Sequence, residues 1–276
     1  MSAAEILSHF GITHDSAPFG NGHINTTYLV GNPPEYILQR LNTDIFRDPD
    51  GVMENIFAVT AFLRKKIAAA GGNPDRETLT FLPTTDGRPC YRTPDGDCYR
   101  VYRFIGHALS LDSASTPEEF AESAHAFGRF QRMLADFPAE QLHETIPHFH
   151  DTPKRLRDFR ETVEKDPLGR AKDVQQEIRF VLDRAGEVGT VTDAIADGSV
   201  PLRVTHNDTK LNNVLLDETT HKGLCVIDLD TVMPGSMLYD YGDSLRFGAS
   251  TAAEDERDLD RVHFDLDYFR AYTKAY

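Results

Sequence analysis

The stretch Val204-Thr-His-Asn-Asp-Thr-Lys-Leu-Asn-Asn-Val-Leu-Leu-Asp217 decides the fold of this chain of 276 residues. It begins with an apolar approach, continues as a polar loop and ends in a short apolar run. A second apolar run, Leu224-Cys-Val-Ile227, returns after a polar turn that contains a glycine, and Asp228 follows it. Two short apolar runs joined by such a turn predict a β-hairpin.

The predicted hairpin would gather oxygen-bearing side chains at its open end. If Asp217 pairs with Leu224, the register places Asn213 opposite Asp228, about 5 Å away at the backbone. Asp208 lies on the loop that leads into this end. Mg²⁺ prefers a few carboxylate or amide oxygens and takes its remaining ligands from water and phosphates. Asn213 and Asp228 are therefore predicted to be metal ligands.

The loop also carries groups suited to phosphoryl transfer. Asp208 could accept the proton of an attacking hydroxyl, and Lys210 could offset the charge of a transferring phosphoryl group. The order His206-x-Asp208-x-Lys210-x-x-Asn213, followed by an apolar strand that ends in Asp228, is the layout of a kinase catalytic loop and its metal-binding strand. We therefore predict that His206, Asp208 and Lys210 are catalytic. A polar surface loop on a hairpin is the structural alternative.

This layout resembles that of the protein-kinase-like phosphotransferases, and most closely their small-molecule branch with the aminoglycoside and choline kinases. Longer blocks resemble the N-acetylhexosamine 1-kinase family within that branch. Besides the catalytic loop, they are Gly22-His-Ile-Asn-Thr-Thr-Tyr28, Tyr36-Ile-Leu-Gln39, Glu144-Thr-Ile-Pro-His-Phe-His-Asp-Thr152, Ile227-Asp-Leu-Asp-Thr-Val-Met-Pro-Gly-Ser-Met237 and Arg246-Phe-Gly-Ala-Ser-Thr251. The resemblance implies transfer of the γ-phosphoryl group of ATP, with Mg²⁺, to the anomeric (C1) hydroxyl of GlcNAc or GalNAc.

The same resemblance implies an α+β fold with the two lobes of a protein kinase. Residues 1–105 would form a nucleotide-binding N-lobe, with a small antiparallel sheet and one helix. Residues 106–276 would form a larger, mainly helical C-lobe that carries the catalytic hairpin and binds the sugar. Members of the family run well past 276 residues, so the C-lobe is expected to be truncated at its C-terminus.

The segment Pro18–Val30 is predicted to cover the phosphates of the nucleotide. Its glycines allow a tight turn and bring backbone N–H groups close to a ligand, as in a kinase glycine-rich loop. The protein-kinase pattern has a third glycine where this chain has Asn25, and an ordinary β-turn is the alternative. The predicted nucleotide-binding residues of this segment are Gly20, Asn21, Gly22, His23, Asn25 and Thr26.

The next predicted strand, Glu35–Leu41, lacks the lysine that reaches the phosphates in kinase-like folds. Either Gln39 or Arg40 stands in its place, and an arginine can hold phosphate through its guanidinium fork. The sequence does not decide between the two residues, and a solvated arginine on an edge strand is the alternative for Arg40.

A helix is predicted over Val52–Lys66, where apolar residues recur at helical spacing. Glu54 is either the acid that pairs with the strand cation or a first-turn acid favoured by the helix dipole. A later strand, Cys98–Ile105, ends at the predicted hinge, where the backbone of Phe104 and Ile105 would receive adenine.

Three acids beyond the hairpin have predicted roles. Asp230 either assists the metal or is a satisfied loop acid. By analogy with kinase-like folds, Asp240 or Asp243 would hold the catalytic loop through its backbone amides. The run Asp228-Leu-Asp230-Thr-Val232 also matches the Asp-x-Asp signature of haloacid-dehalogenase-type phosphohydrolases, which build most of their sheet after this strand. Only 44 residues follow Val232 here.

The catalytic loop alone leaves the acceptor open. It does not separate a sugar kinase from a kinase for aminoglycosides, choline, homoserine or methylthioribose. The missing strand lysine also suggests a nucleotide-binding module without catalysis, against which the retained Asp208, Asn213 and Asp228 argue.

The composition limits the classes of partner. A net charge of −15 argues against a nucleic-acid partner, because phosphate backbones require a basic face. The sequence contains neither a long apolar run nor the apolar core of a secretion signal, so we expect no membrane partner. The cysteines Cys90, Cys98 and Cys225 form no paired motif, which suits a reducing cytoplasm.

Overall fold

The computed structural model describes residues 1–20 and 24–276. The helices in these residues are α1 Ala3–Ser8, α2 Pro49–Ala69, α3 Pro74–Glu77, α4 Pro117–Met133, α5 Thr152–Lys165, α6 Gln175–Asp183, α7 Thr190–Ala196, α8 Met237–Gly248 and α9 Leu266–Ala275. The strands are β1 Ser16–Pro18, β2 Thr26–Val30, β3 Tyr36–Leu41, β4 Phe81–Leu82, β5 Tyr91–Arg92, β6 Cys98–Arg103, β7 Ala108–Ser110, β8 Arg203–Thr205, β9 Val214–Asp217, β10 Gly223–Val226 and β11 Met233–Gly235. Short 3₁₀ turns lie at Ala139–Gln141, Ala171–Asp173, Leu211–Asn213, Leu229–Thr231 and Leu259–Arg261.

The chain forms two compact units. One comprises Met1–Thr145 together with Arg203–Tyr276, and the other comprises Ile146–Leu202. Every predicted site residue belongs to the first unit. The predicted boundary at residue 105 lies inside that unit and stays a prediction.

The N-terminal part of the first unit is built on an antiparallel sheet. Its strand order is β1-β2-β3-β6-β4, and β5 also pairs with β6. Leu38 and Val101 lie opposite each other and pack with α1 residues in a buried core. Because neighbouring residues of a strand face opposite sides, the next pair in register, Gln39 and Arg100, lies on the other face of the sheet.

Helix α2 begins at Pro49 rather than at the predicted Val52. The carboxylate of Asp48 accepts the amide of Gly51 at 3.1 Å, and proline suits the first position of a helix. The apolar spacing that predicted the helix corresponds to its buried side, which includes Val52, Ile56, Val59, Leu63 and Ile67.

In the C-terminal part of this unit, α4 packs against α8 and α9. Phe120 and Ala124 of α4 form a buried cluster with Leu245, Ala249 and Tyr272. The rings of Phe120 and Tyr272 lie 4.6 Å apart. The remaining strands form two small antiparallel sheets, β10-β9-β7 and β11-β8.

The predicted hairpin is present as β9 and β10, but its predicted register was wrong. Val226 pairs with Val214, and the amide of Ile227 bonds the carbonyl of Asn213 at 2.9 Å. Asn213 therefore lies opposite Ile227, one residue before the predicted Asp228. A shift between Gly223 and Cys225 changes the register, as a β-bulge does.

The second unit contains α5, α6 and α7. Helix α5 begins after Asp151, whose carboxylate accepts the amide of Lys154 at 2.8 Å. It ends at Asp166, which adopts a left-handed conformation with φ of 33°. In the described residues no helix is both long and apolar enough to cross a membrane.

Candidate active site

Two acids, Asp240 and Asp243, accept hydrogen bonds from the backbone of the catalytic loop, which lies between β8 and the turn Leu211–Asn213. The Asp240 carboxylate accepts the amides of His206 at 3.0 Å and Asn207 at 2.8 Å. The Asp243 carboxylate accepts the amide of Thr209 at 2.9 Å. The expectation that one of these acids would hold the loop is confirmed, and both of them do so.

Asp240 is fully buried, and burial raises its pKa. The nearby His206 and the hydrogen bonds from the two loop amides and from Gln131 act in the opposite direction. Gln131 of α4 donates to Asp240 at 2.6 Å and to the carbonyl of Val204 at 2.9 Å. Helix α4 is therefore connected to the base of the loop.

His206 lies inside the protein and not at the open site. Its Nε2 atom lies 2.9 Å from the carbonyl oxygen of Ile227, and its Nδ1 atom accepts the amide of Asp208 at 3.3 Å. Its ring meets that of Phe127 edge-on at 5.4 Å. In these bonds Nε2 is the donor and Nδ1 is the acceptor. These contacts let His206 support the loop, and its catalytic role stays a prediction.

Asp208, Lys210 and Asn213 are brought together. The side-chain amide of Asn213 donates to the Oδ2 atom of Asp208 at 3.0 Å, and Lys210 Nζ lies 3.9 Å from Oδ1. The Asp208 side chain is 33% exposed, so a substrate can reach it. Lys210 also lies 3.4 Å from Glu254, a residue that sequence reasoning did not identify.

Asp228 follows β10 in a left-handed conformation, with φ of 57° and ψ of 63°. The side chain of Asp228 is exposed at the surface, but the protein that surrounds its carboxylate buries it enough to displace much of its hydration. This burial, and then the charge of Asp230, raises the pKa of Asp228 to about 6. A carboxylate in this situation favours a bound cation. Asn213 fits such a role too, since its amide nitrogen binds Asp208 and its oxygen remains for a ligand.

Asp230 is placed differently from Asp228. It is buried, and its carboxylate accepts hydrogen bonds from Arg100 and, at 2.7 Å, from Asn25. Of the two roles expected from the sequence, the satisfied loop acid fits these contacts. The metal-binding role of Asp230 stays a prediction.

The buried cation of the sheet comes from β6 and not from β3. Arg40 pairs with Asp97 at 2.9 Å, and its side chain is 50% exposed. Of the two residues predicted to stand in place of the strand lysine, Gln39 is the one that contacts a cation. Its Oε1 atom accepts a hydrogen bond from Nη2 of Arg100 at 2.8 Å. Arg100 was missed, although strand alternation places it on one face with the buried Cys98.

Glu54 does not meet the strand cation in this structure. Its carboxylate lies 2.7 Å from Nε2 of His143. The neighbouring Asn55, which sequence reasoning missed, is buried and donates to the carbonyl oxygens of His143 at 2.8 Å and Val232 at 2.9 Å. Asn55 therefore connects α2 with Val232, which follows the turn Leu229–Thr231.

Of the predicted nucleotide loop, the structure places Gly20, Asn25 and Thr26, whereas Asn21, Gly22 and His23 lie outside the described residues. Gly20 has φ of 72°, a conformation that favours glycine. Thr26 lies opposite Arg40 at the start of β2. Both residues line an open cleft with Ile24, Leu41, Asn42, Thr43 and Asp44.

The predicted hinge follows β6 directly. The amide of Phe104 donates to the carbonyl of Glu35 at 2.8 Å, and Ile105 is buried. The chain therefore leaves the sheet at these residues, as expected. Their binding of adenine stays a prediction.

Helix α9 is linked to the catalytic loop by two consecutive hydrogen bonds. The hydroxyl of Tyr272 donates to Ser244 at 2.6 Å, and Ser244 donates to the carbonyl of Thr209 at 3.0 Å. All three residues are buried. The catalytic loop, which is fixed from several sides, thus brings together the carboxylate of Asp208, the ammonium group of Lys210 and the side-chain amide of Asn213.

The chain matches the model of a phosphotransferase enzyme family, designated APH, over residues 15–275. Solved structures of similar fold include an aminoglycoside phosphotransferase from Alicyclobacillus acidocaldarius (TM-score 0.63, 16% identity, covering 100% of this chain and 76% of that one). A microcompartment-associated aminopropanol kinase gives a TM-score of 0.57 at 18% identity, covering 99% and 79%. The amicoumacin kinase hAmiN, in complex with AMP-PNP, Ca²⁺ and Ami, gives a TM-score of 0.55 at 11% identity, covering 94% of this chain and 71% of that one.

These likenesses confirm the predicted α+β fold of the protein-kinase type. They exclude the haloacid-dehalogenase alternative. The pairings among the described strands are also antiparallel throughout.

Proposed function

We propose that this chain, which belongs to the phosphotransferase enzyme family, transfers the γ-phosphoryl group of ATP to the anomeric hydroxyl of an N-acetylhexosamine, GlcNAc or GalNAc. The observation that carries the transfer is the position of Asp208, held by Asn213 with Lys210 beside it. The sugar is supported by the sequence blocks that resemble the N-acetylhexosamine 1-kinases.

In the proposed reaction, Oδ1 of Asp208 accepts the proton of the C1 hydroxyl, because Oδ2 is already bonded to Asn213. Lys210 offsets charge on the oxygens of the transferring group. Asn213 and Asp228 would hold Mg²⁺, which, when bound, neutralises phosphate charge. Gly20 to Thr26 would cover the triphosphate. Fixed positions and electrostatics supply most of the acceleration in this type of reaction.

The nucleotide and the metal are supported by a relative as well as by the site. The amicoumacin kinase was solved with an ATP analogue and a divalent cation. The chain's three cysteines are free thiols, as in the reducing cytoplasm that we propose as its location.

An acceptor that carries an amine is the second candidate. The net charge of −15 favours a cationic substrate, and two of the relatives are named for aminoglycosides or aminopropanol. Glu254, whose carboxylate lies 3.4 Å from Lys210, adds a further acid near Asp208 that could contact an amine.

A single panel separates the two candidates. The protein is incubated with Mg-ATP and GlcNAc, GalNAc, their 1-O-methyl glycosides, aminopropanol or kanamycin, and the products are read by phosphorus NMR. We expect an anomeric phosphate from the free sugars and none from the methyl glycosides, whose C1 oxygen is blocked. Phosphorylation of an amine-bearing acceptor alone would overturn the sugar assignment and support the second candidate. Asp208→Asn serves as the control for the site.

A further inference from the structure

Arg100 and Asp230 form a buried ion pair between the sheet and the turn Leu229–Thr231. Their side chains are only 2% and 3% exposed. Nη1 of Arg100 donates to Oδ1 of Asp230, and the side-chain amide of Asn25 donates to Oδ2 at 2.7 Å. Both carboxylate oxygens therefore have protein partners.

Every nitrogen of the Arg100 guanidinium group donates a hydrogen bond. Nε and Nη2 donate to Oε1 of Gln39 at 3.0 and 2.8 Å, while Nη1 holds Asp230. The guanidinium carbon lies 5.5 Å from the ring centre of Phe81, within cation–π range. Arg100 is therefore placed as a fixed support and not as a free cation that waits for a phosphate.

The turn that carries Asp230 is bonded to the catalytic loop. It is the 3₁₀ turn Leu229–Thr231, which begins directly after Asp228. The hydroxyl of Thr231 donates to the carbonyl of His206 at 2.6 Å, and the side chain of Asn207 donates to the carbonyl of Thr231 at 2.8 Å. A displacement of the turn would move both Asp228 and the loop.

Asn25 joins the nucleotide loop to the same carboxylate. Its oxygen accepts the amide of Asn42 at 3.0 Å, and this bond directs its nitrogen toward Asp230. A glycine, which the protein-kinase pattern has at this position, could make neither bond. The asparagine that replaces this glycine therefore adds two hydrogen bonds, one to Asn42 and one to Asp230.

We infer that Asp230 is a positioning residue, which together with Arg100 and Asn25 aligns the nucleotide loop and the Asp228 turn, and that it is not a metal ligand. A buried ion pair gains little net stability, because both charges lose their hydration, but it holds its partners in one geometry. The inference rests on the proposed function only in assigning the metal to Asp228.

The first test is a double-mutant cycle of unfolding for Arg100→Gln and Asp230→Asn, measured in EDTA without nucleotide or acceptor. We expect each single variant to lower the unfolding midpoint and the double variant to lie no lower than the worse single one. Lys66→Gln and Asp136→Asn remove an exposed ion pair and supply the control cycle. Additive losses at Arg100 and Asp230 would overturn the inference. Because no substrate is present, this outcome does not depend on the proposed reaction.

The second test separates positioning from metal binding, with Mn²⁺ and AMP-PNP as probes. We expect Asp228→Asn to weaken Mn²⁺ binding, followed by electron paramagnetic resonance, at least about tenfold more than Asp230→Asn does. Equal losses would show that Asp230 is a ligand.

Asn25→Ala, which changes no charge, should raise the KM for ATP about tenfold and leave kcat within about twofold. An unchanged KM would overturn the link to the nucleotide loop, and exposed Arg103→Gln on the same strand as Arg100 is the control.

Discussion

The side-chain amide of Asn213 donates hydrogen bonds to both the carbonyl oxygen and the Oδ2 atom of Asp208, at 2.8 and 3.0 Å. One residue thus fixes the backbone and the carboxylate of the proposed base. The backbone carbonyl oxygen of Asn213 accepts the amide of Ile227, which precedes Asp228. The base and the proposed metal ligand are therefore fixed through the same asparagine.

Replacing the proposed base should separate catalysis from binding. Asp208→Asn keeps the size of the side chain and an oxygen that can accept from Asn213, so we expect the fold and ATP binding to remain. Turnover should fall by about 10²–10⁴, the range for loss of a general base. The measurements are kcat from steady-state kinetics and the nucleotide affinity from titration calorimetry.

The control for Asp208→Asn is Asp15→Asn, which neutralises an exposed acid far along the chain from the loop. It should leave turnover unchanged. If Asp208→Asn turned over substrate as fast as the unsubstituted protein, Asp208 would not be the general base.

Asp240 should matter for stability because of the amides that it accepts. In Asp240→Asn, the new NH₂ group would face a backbone N–H of His206 or Asn207, so at least one charged hydrogen bond is lost inside the protein. We expect a loss of about 2–3 kcal/mol in the free energy of unfolding. Denaturant titration measures it.

The matched control for Asp240 is Asp267→Asn. That acid has a 78% exposed side chain and pairs with Arg270 on the surface. Exposed pairs contribute about 0–1 kcal/mol, so its loss should be small. Similar losses in the two variants would show that the loop amides do not depend on Asp240.

The sequence predicted those parts of the site that are local. The spacing from His206 to Asn213 and the strand before Asp228 depend on neighbouring residues, so one stretch contains the information. The hinge at Phe104 could be placed from the order of the strands. The roles of Asp240 and Asp243 followed from analogy, and both acids are used.

The parts that the sequence missed depend on pairings between distant residues. Arg100 meets Asp230 across 130 positions, and nothing near either residue indicates its partner. The hairpin register failed because a shift between Gly223 and Cys225 has no signal in the apolar pattern. Asn55 was overlooked beside Glu54, since an asparagine within a helix is usually solvent-facing.

Asp228 should make the stability of the metal-free protein dependent on pH. Its pKa is raised from 3.8 to about 6, so the folded state favours the protonated form. The stability contributed by this group is present below about pH 4 and is lost as the pH rises through 6. Asp228→Asn removes this loss. We therefore expect the variant to be more stable than the unsubstituted protein at pH 8 and equal to it at pH 4.

The size of this difference is about 1 kcal/mol, because solvent screens an exposed carboxylate and reduces the value that the pKa alone would give. Asparagine also tolerates the left-handed conformation of this position. Thermal unfolding in EDTA between pH 4 and 8 provides the test, and addition of Mg²⁺ should stabilise only the unsubstituted protein. A variant that is less stable at pH 8 would contradict the assignment.

Two glycines of α8 should respond in opposite ways to alanine. A Cβ atom at Gly248 would overlap the ring of Phe120, which is 1% exposed in the core between α4 and α9. A Cβ atom at Gly242 would have no neighbouring atom within 4 Å. Overpacking should therefore make Gly248→Ala less stable by about 1–3 kcal/mol. Gly242→Ala should be more stable by up to about 1 kcal/mol, since alanine favours the helix.

Denaturant unfolding of the two variants measures both signs in one experiment. The substitution and the helix are the same, so helix propensity alone would shift both variants toward higher stability. A destabilised Gly248→Ala beside a stabilised Gly242→Ala can then be assigned to the contact with Phe120. If Phe120→Leu is combined with Gly248→Ala, the smaller side chain should relieve the overlap, and the double variant should be more stable than the sum of the two single losses. Additive losses would mean that α8 does not approach Phe120 at this point.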